Sequence, residues 1–121
     1  MHQSQKLNPS LQKQIDQAFT QVLTEIKNTD QSSCFVSGFF TSSEKDIFTK
    51  RLAIAYWLKK GRSYENIKQN LKVSSATIAS IQQELKKPGW KLALEKVMAE
   101  EWASKWEEKI KNLFKRDQSK N

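Results

Sequence analysis

The sequence predicts an all-α protein, and three observations support this fold class. Glycine occurs three times and proline twice in 121 residues, so few positions would interrupt a helix. Apolar residues recur at intervals of three and four along much of the chain, which is the period of one helix face. Runs of β-branched residues are too short for a sheet. The length fits one structural domain with extensions.

The first predicted helix runs from Ser10 to about Lys27 and follows Asn8 and Pro9, a common way to enter a helix. Its apolar residues share one face that needs a partner: Leu11, Ile15, Ala18, Phe19, Val22, Leu23 and Ile26. The segment Thr29 to Gly38 is rich in Ser, Asp and Gln and is predicted as a loop. We expect the aromatic residues near its end to pack this loop onto a core. Residues 1–38 are thus interpreted as an N-terminal helix and loop.

The second predicted helix begins at Thr41 and ends at Gly61. Thr41 and Glu44 have the spacing of a capping box, in which each side chain accepts a hydrogen bond from the other residue's backbone. Gly61 suits the left-handed position that often follows the last turn. The apolar residues predicted to be buried are Ile47, Phe48, Leu52, Ile54, Ala55 and Leu58.

Two short helices joined by a tight turn are predicted between Ser63 and Leu85, with Ser63 capping the first and Ser74 the second. Six apolar residues would form the hydrophobic hinge between them: Ile67, Leu71, Val73, Ile78, Ile81 and Leu85. This division is typical of a helix-turn-helix, although an ordinary helical hairpin shares the pattern. Lys72 occupies the turn position where such motifs usually have glycine, so we expect it in a left-handed conformation.

A long final helix is predicted from about Trp90 to Phe114, after the Pro88-Gly89 break. Its apolar stripe consists of Leu94, Val97, Met98, Trp102, Trp106, Ile110, Leu113 and Phe114. The predicted parts of the chain are therefore residues 1–38, the helix-turn-helix core 39–88, the long helix 89–116 and a disordered tail 117–121.

The net charge of +8 is concentrated in one part of the chain. Residues 39–88 carry ten Lys or Arg and four Asp or Glu, whereas residues 1–38 are neutral overall. Such a basic segment favours a polyanionic partner, and nucleic acid, acidic proteins and anionic lipid all fit this description.

The second helix of the pair has a narrow, uncharged outer surface that could enter a major groove of DNA. The residues predicted to face the bases are Ser75, Ala76, Thr77, Ala79, Ser80 and Gln83. The residues predicted to contact phosphates are Arg62, Lys68, Lys72, Ser74, Lys86 and Lys87. None of the base-facing residues is an arginine or asparagine, so bidentate base recognition is limited and specificity would depend on DNA shape or bridging water.

The sequence does not favour an enzyme. His2 lies near the terminus, and Cys34 has no second histidine to activate it. No Cys/His cluster or glycine-rich phosphate loop is present, so no metal or cofactor is expected. Because no leader and no long apolar run are recognisable, we expect a cytoplasmic protein without membrane contact.

The segment Phe39 to Leu85 resembles the Trp-repressor-like superfamily. The resemblance lies in F-F-T-S-S-E-K-D-I-F-T-K-R-L-A-I-A, the following glycine and the motif after it. In particular, Leu71 to Ser80 resembles the small bacterial proteins described as the YerC/YecD type, in which L-x-V-S-x-A-T-I-S is typical. The resemblance implies a repressor or regulator that forms an intertwined homodimer, in which the N-terminal helices wrap each other and the two reading helices face successive major grooves.

The resemblance also implies an effector site, at which Thr41, Arg51 and Thr77 match positions of the family's tryptophan pocket. Ser80 stands where the Trp repressor has a second arginine. The missing guanidinium would remove a stacking surface and a carboxylate partner, so neither tryptophan nor another small-molecule corepressor is expected.

The function predicted from the sequence is a homodimeric regulator that binds specific double-stranded DNA sites. The alternative is a helical protein-interaction module that uses the Trp-rich final helix and binds DNA without site preference. RNA binding is disfavoured, because no exposed aromatic platform is evident.

Overall fold

The computed structural model describes residues 5–119 and, within that range, the side chains other than those at 103, 106, 107, 110 and 114–119. In this range the chain forms six helices and no strand, which confirms the all-α class. The helices are α1 (Pro9–Glu25), α2 (Thr29–Phe39), α3 (Ser42–Lys59), α4 (Tyr64–Leu71), α5 (Ser75–Glu84) and α6 (Pro88–Ser119). Two compact units divide the chain, Met1–Lys45 and Asp46–Asn121.

The first unit contains α1 and α2. The Asn8 side chain accepts a hydrogen bond from the Ser10 N–H at 2.8 Å, so α1 begins where the Asn-Pro pair predicted. The segment predicted as a loop from Thr29 to Gly38 is instead helical. The Asn28 carboxamide accepts from the Gln31 N–H at 2.9 Å and caps this helix. The loop prediction rested on the Ser, Asp and Gln content of this segment and was wrong. Asn28 and Gln31 have the spacing of a capping pair, which is a local signal for the start of a helix.

An aromatic cluster joins α1 and α2. Phe19 of α1 lies 6.3 Å from Phe35 and 5.8 Å from Phe39, measured between ring centroids. Phe35 stacks on Phe39 at 4.9 Å, and Phe40 meets both rings edge-on. No residue of either helix is buried, and α1 leaves Leu11, Ile15, Val22 and Leu23 between 45% and 49% exposed.

At its start, α3 has the predicted capping box. The Thr41 hydroxyl accepts from the Glu44 N–H at 3.1 Å, and the Glu44 carboxylate accepts from the Thr41 N–H at 2.9 Å. Gly61 has a φ of 83°, which confirms the left-handed residue predicted after the helix.

The second unit has its own core, formed by side chains from α3, α4, α5 and α6. The buried residues are Ile54, Ala55, Ile67, Ile78, Ile81 and Leu94. Only the C-terminal half of the stripe predicted for α3 belongs to this core. Ile47, Phe48 and Leu52 are 36% to 55% exposed, so the prediction that they are buried is wrong within a single chain.

The last helix, α6, is longer than predicted. It begins at Pro88 and continues through residues 117–119, part of the tail expected to be disordered. Leu94 is buried, whereas Trp102 and Leu113 are 64% and 61% exposed. Three predicted stripe residues, Trp106, Ile110 and Phe114, have side chains outside the described part.

Candidate nucleic-acid interface

The helix-turn-helix is formed by α4, α5 and the turn between them. The Ser63 hydroxyl accepts from the Asn66 N–H at 3.1 Å, and the Ser74 hydroxyl accepts from the Thr77 N–H at 3.1 Å. Both predicted caps are therefore confirmed. Each helix begins because a serine satisfies backbone donors that have no partner in the first turn.

Lys72 sets the sharp turn between α4 and α5. Its φ of 57° and ψ of 50° place it in the left-handed region, and its N–H donates to the Lys68 carbonyl at 2.9 Å. It is the only positive-φ residue other than glycine among those described. A side chain with a Cβ is strained in this conformation by about 1 kcal/mol or more. The fold of the second unit therefore holds Lys72 against its backbone preference.

The hydrophobic hinge fixes α5 to the rest of the second unit. Ile67 of α4 and Ile78 of α5 are fully buried, and Ile81 is 4% exposed. Leu71, Val73 and Leu85 are partly buried against them, so all six predicted hinge residues belong to this cluster. The buried face of α5 determines by helical geometry which residues lie on the opposite side.

The outer surface of α5 carries small or uncharged side chains. Ser75, Ala76, Ser80 and Gln83 are exposed, and Ala79 is half-buried. Thr77 is exposed too, but its hydroxyl lies 2.9 Å from that of Ser74 and is engaged in the cap. Of the six residues predicted to face bases, Ser75, Ala76, Ser80 and Gln83 thus form the most accessible set.

The cations predicted to contact phosphates differ in their surroundings. Lys72 and Lys86 are exposed, and Lys68 is half-buried. Lys87 forms an ion pair with Glu84 at 2.5 Å, which reduces the charge it offers to DNA. Ser74 uses its hydroxyl in the cap. Arg62 is exposed, and its guanidinium contacts Trp57 and Asn66.

Two adjoining cavities lie beside α5. The larger, about 660 Å³, is lined by Ile47, Arg51, Ala76, Thr77, Ser80, Ile81 and Glu84. The smaller, about 380 Å³, is lined by Asp46, Ile47, Lys50, Arg51, Ile54, Lys72, Val73, Ser74 and Thr77. Arg51 and Thr77, two predicted effector residues, therefore share both cavities, and Ser80 lines the larger one. The third, Thr41, belongs to the first unit, where it caps α3.

Two arginines contact tryptophan rings, which the sequence did not reveal. The Arg51 guanidinium carbon lies 5.3 Å from the centroid of Trp90, and that of Arg62 lies 4.0 Å from the centroid of Trp57. Both tryptophans pack partly against the core. These arginine–tryptophan contacts depend on tertiary packing, which the sequence does not show directly. The four tryptophans of the chain were the only sequence signal for them.

A carboxylate on α6 is tied to the end of α3. The Tyr56 hydroxyl donates to Glu101 at 2.5 Å, and Lys60 and Lys105 lie 3.1 and 3.3 Å from its oxygens. The hydrogen bond from Tyr56 is the largest cause that lowers the pKa of Glu101 to about 2, and the hydrogen bond from Lys60 acts in the same direction. The hydrogen bond between Tyr56 and Glu101 also raises the pKa of Tyr56.

Among the described residues, no group of His, Cys, Asp and Glu side chains is arranged to hold a metal ion. None of the described helices is long and apolar enough to cross a membrane.

The family model described as Trp repressor protein matches residues 13–98, a range that includes α3, α4, α5 and the start of α6. No curated protein and no solved structure matches the chain significantly.

Proposed function

The chain belongs to the Trp repressor protein family, and from this premise we propose that it is a homodimeric transcriptional regulator that recognises specific double-stranded DNA sites through α5. The observation that carries this proposal is the accessible, uncharged outer surface of α5, held on a buried hinge and accompanied by cations. A protein helix with such a surface fits the major groove of DNA. The phosphates on both sides of the groove attract the Lys and Arg residues at the ends of the motif.

In this proposal the outer surface of α5 reads bases mainly through small side chains. Ala76 and Ala79 would contact thymine methyl groups, and Ser75 or Ser80 would donate or accept at either type of base pair. Gln83 is the one long amide on this surface, and a bidentate contact with adenine is within its chemistry. The remaining specificity would come from DNA shape and bridging water.

The phosphate contacts in this proposal come from the ends of the motif. Arg62 and Lys68 belong to the α4 side, and Lys72, with the Ser74 cap, belongs to the turn before α5. Lys86 follows α5 and is exposed, whereas Lys87 is weakened by its pair with Glu84. We expect Lys87 to contribute least of these cations.

The proposed homodimer accounts for apolar surface that one chain leaves exposed. On α1, Leu11, Ile15 and Leu23 are nearly half exposed, and no residue of α1 is buried. An amphipathic helix of this kind becomes stable when another surface covers its apolar face. The family's intertwined dimer would supply that surface from a second copy of the chain.

We further propose that the regulator acts as a repressor and binds DNA without tryptophan. Arg51 already lies against the Trp90 ring of its own chain, and Ser80 offers no second guanidinium at the larger cavity. An indole amino acid would therefore find neither the stacking pair nor the charge that its binding requires.

The second candidate is the protein-interaction module. It is favoured by one observation, the exposure of Trp102 and Leu113 on the part of α6 beyond residue 98, where the family match ends. Tryptophan is enriched at protein interfaces.

A selection of bound fragments from a random-sequence duplex library would decide between the two. We expect the wild type to enrich a two-fold-symmetric site at near-physiological salt, equally with and without L-tryptophan. The variant Ala76→Glu/Gln83→Glu should lose this site, because two carboxylates would enter the groove. The matched control is Ala99→Glu/Ser104→Glu, which adds the same charge at exposed positions of α6. Equal, unenriched binding by all three proteins would overturn the proposed function and favour the interaction module.

A further inference from the structure

The backbone of Arg62 is fixed by the C-terminal cap of α3. The Arg62 N–H donates to the Trp57 carbonyl at 3.0 Å, and the Gly61 N–H donates to the Leu58 carbonyl at 3.0 Å. With Gly61 in the left-handed region, these bonds form a Schellman motif. Arg62 is thus placed directly before Ser63, the residue that caps α4.

The side chain of Arg62 is fixed as well. Its guanidinium carbon lies 4.0 Å from the centroid of the Trp57 ring, and its Nη1 donates to the Asn66 side-chain oxygen at 3.3 Å. Asn66 is itself held, because its N–H donates to the Ser63 hydroxyl at 3.1 Å. Trp57 packs partly against the core of the second unit. Two anchored side chains therefore restrict a side chain that is usually flexible.

No carboxylate neutralises Arg62 among the ion pairs formed by described residues. The residue is exposed, so the outward side of the guanidinium is open to a ligand. An arginine that stacks on an aromatic ring can still donate from the edge of its plane, and phosphate oxygens match this fork geometry.

We propose that Trp57 is a positioning residue that, together with Asn66, holds the Arg62 guanidinium ready to contact a phosphate of the DNA backbone. This inference rests on the proposed DNA-binding function and adds two residues to it that do not touch DNA themselves. In helix-turn-helix complexes the first helix crosses the sugar-phosphate backbone, which is where this end of α4 would lie. Because the conformation is formed before binding, less side-chain entropy is lost on contact.

The test is the salt dependence of binding to a fixed duplex of mixed sequence, measured by fluorescence anisotropy for four proteins. These are the wild type, Arg62→Gln, Trp57→Leu and the double variant. Loss of one phosphate contact in Arg62→Gln should reduce the slope of log K against log salt by roughly 0.9 per protomer. Trp57→Leu should weaken binding about threefold to tenfold with the slope retained, since the charge remains.

The double variant distinguishes positioning from a merely structural role. If Trp57 acts through Arg62, Trp57→Leu has no further effect once Arg62 is glutamine. Arg62→Lys should keep the slope but lose affinity, because an ammonium lacks the planar stacking group. Lys96→Gln, at an exposed position of α6, is the control for removal of one charge. Thermal unfolding identifies any variant that fails to fold, and Trp57→Met, which is larger than leucine and also lacks a ring, then replaces Trp57→Leu.

Additive losses in the double variant, or an unchanged slope in Arg62→Gln, would overturn the inference. Those results are distinct from a failure of the proposed function, in which the wild type would bind no duplex or would bind without enriching any site in the selection above.

Discussion

Replacement of Lys72 by glycine should stabilise the protein and weaken its binding to DNA. Lys72 has a φ of 57° and is exposed, so its side chain makes little contact that the folded state would lose. Relief of the left-handed conformation is worth about 1 to 2 kcal/mol. The greater freedom of glycine in the unfolded chain offsets about 0.5 to 1 kcal/mol of this. The difference between the midpoints of these ranges gives an expected net gain in unfolding free energy of about 0.75 kcal/mol.

Urea denaturation followed by circular dichroism measures this gain. A rise of about 2 to 5 °C in melting temperature should accompany it, given the size of the chain. Lys72→Ala is the matched control, because alanine removes the same charge but retains the Cβ that causes the strain. We expect Lys72→Ala to be no more stable than the wild type.

Both variants should bind a duplex more weakly and with a smaller salt slope, because each lacks one proposed phosphate contact. Lys72→Gly should therefore be more stable than the wild type but bind DNA more weakly. Lys72→Ala should share only the weaker binding. A glycine variant that is no more stable than the alanine variant would refute the view that Lys72 is strained. Unchanged salt slopes would refute its contact with DNA.

Two further predictions concern α6 and α1. The Glu101 pKa is lowered from 4.5 to about 2, so its contribution to stability is present above pH 4.5 and is lost as the pH falls towards 2. Glu101→Gln should therefore be less stable than the wild type at pH 7 and nearly equal to it near pH 2, as measured by urea denaturation; a constant difference would contradict the stated cause. Ile15→Glu should shift the protein from dimer to monomer in sedimentation equilibrium, because it places a charge on the exposed apolar face of α1. Gln14→Glu, an exposed neighbour, should remain dimeric, and dimers of equal stability in both would remove α1 from the proposed interface.

Local signals in the sequence were sufficient to predict the helix-turn-helix. Ser63 and Ser74 satisfy backbone donors within three residues, and the hinge follows from spacings of three and four along each helix. Lys72 could be assigned a left-handed conformation because the turn geometry requires it whatever residue is present. These features depend on chain neighbours, so no knowledge of distant contacts was needed.

Predictions failed where composition or distant packing decides. Thr29 to Gly38 has the Ser and Asp content of a loop, yet the Asn28 cap and the packing of Phe35 and Phe39 on Phe19 make it helical. The apolar stripe of α3 gave no indication that Ile47 remains exposed while Ile54 is buried, because that depends on where α4, α5 and α6 pack. The contacts of Arg51 and Arg62 with tryptophan rings have the same origin.

The position of α5 relative to its cavity bears on how DNA binding would be controlled. Ala76 and Ser80 belong to the outer surface of α5 and also line the larger cavity, so a ligand there would lie against residues proposed to read bases. In this chain the orientation of α5 is already supported without a ligand, through Ile78 and Ile81 in the core and through the turn at Lys72. A ligand can shift an equilibrium only by its differential affinity for two states. Because Arg51 lies against Trp90 and position 80 is a serine, we expect little differential affinity for tryptophan. Under the proposed function, the concentration of the proposed dimer, rather than tryptophan, would then set the occupancy of the DNA sites.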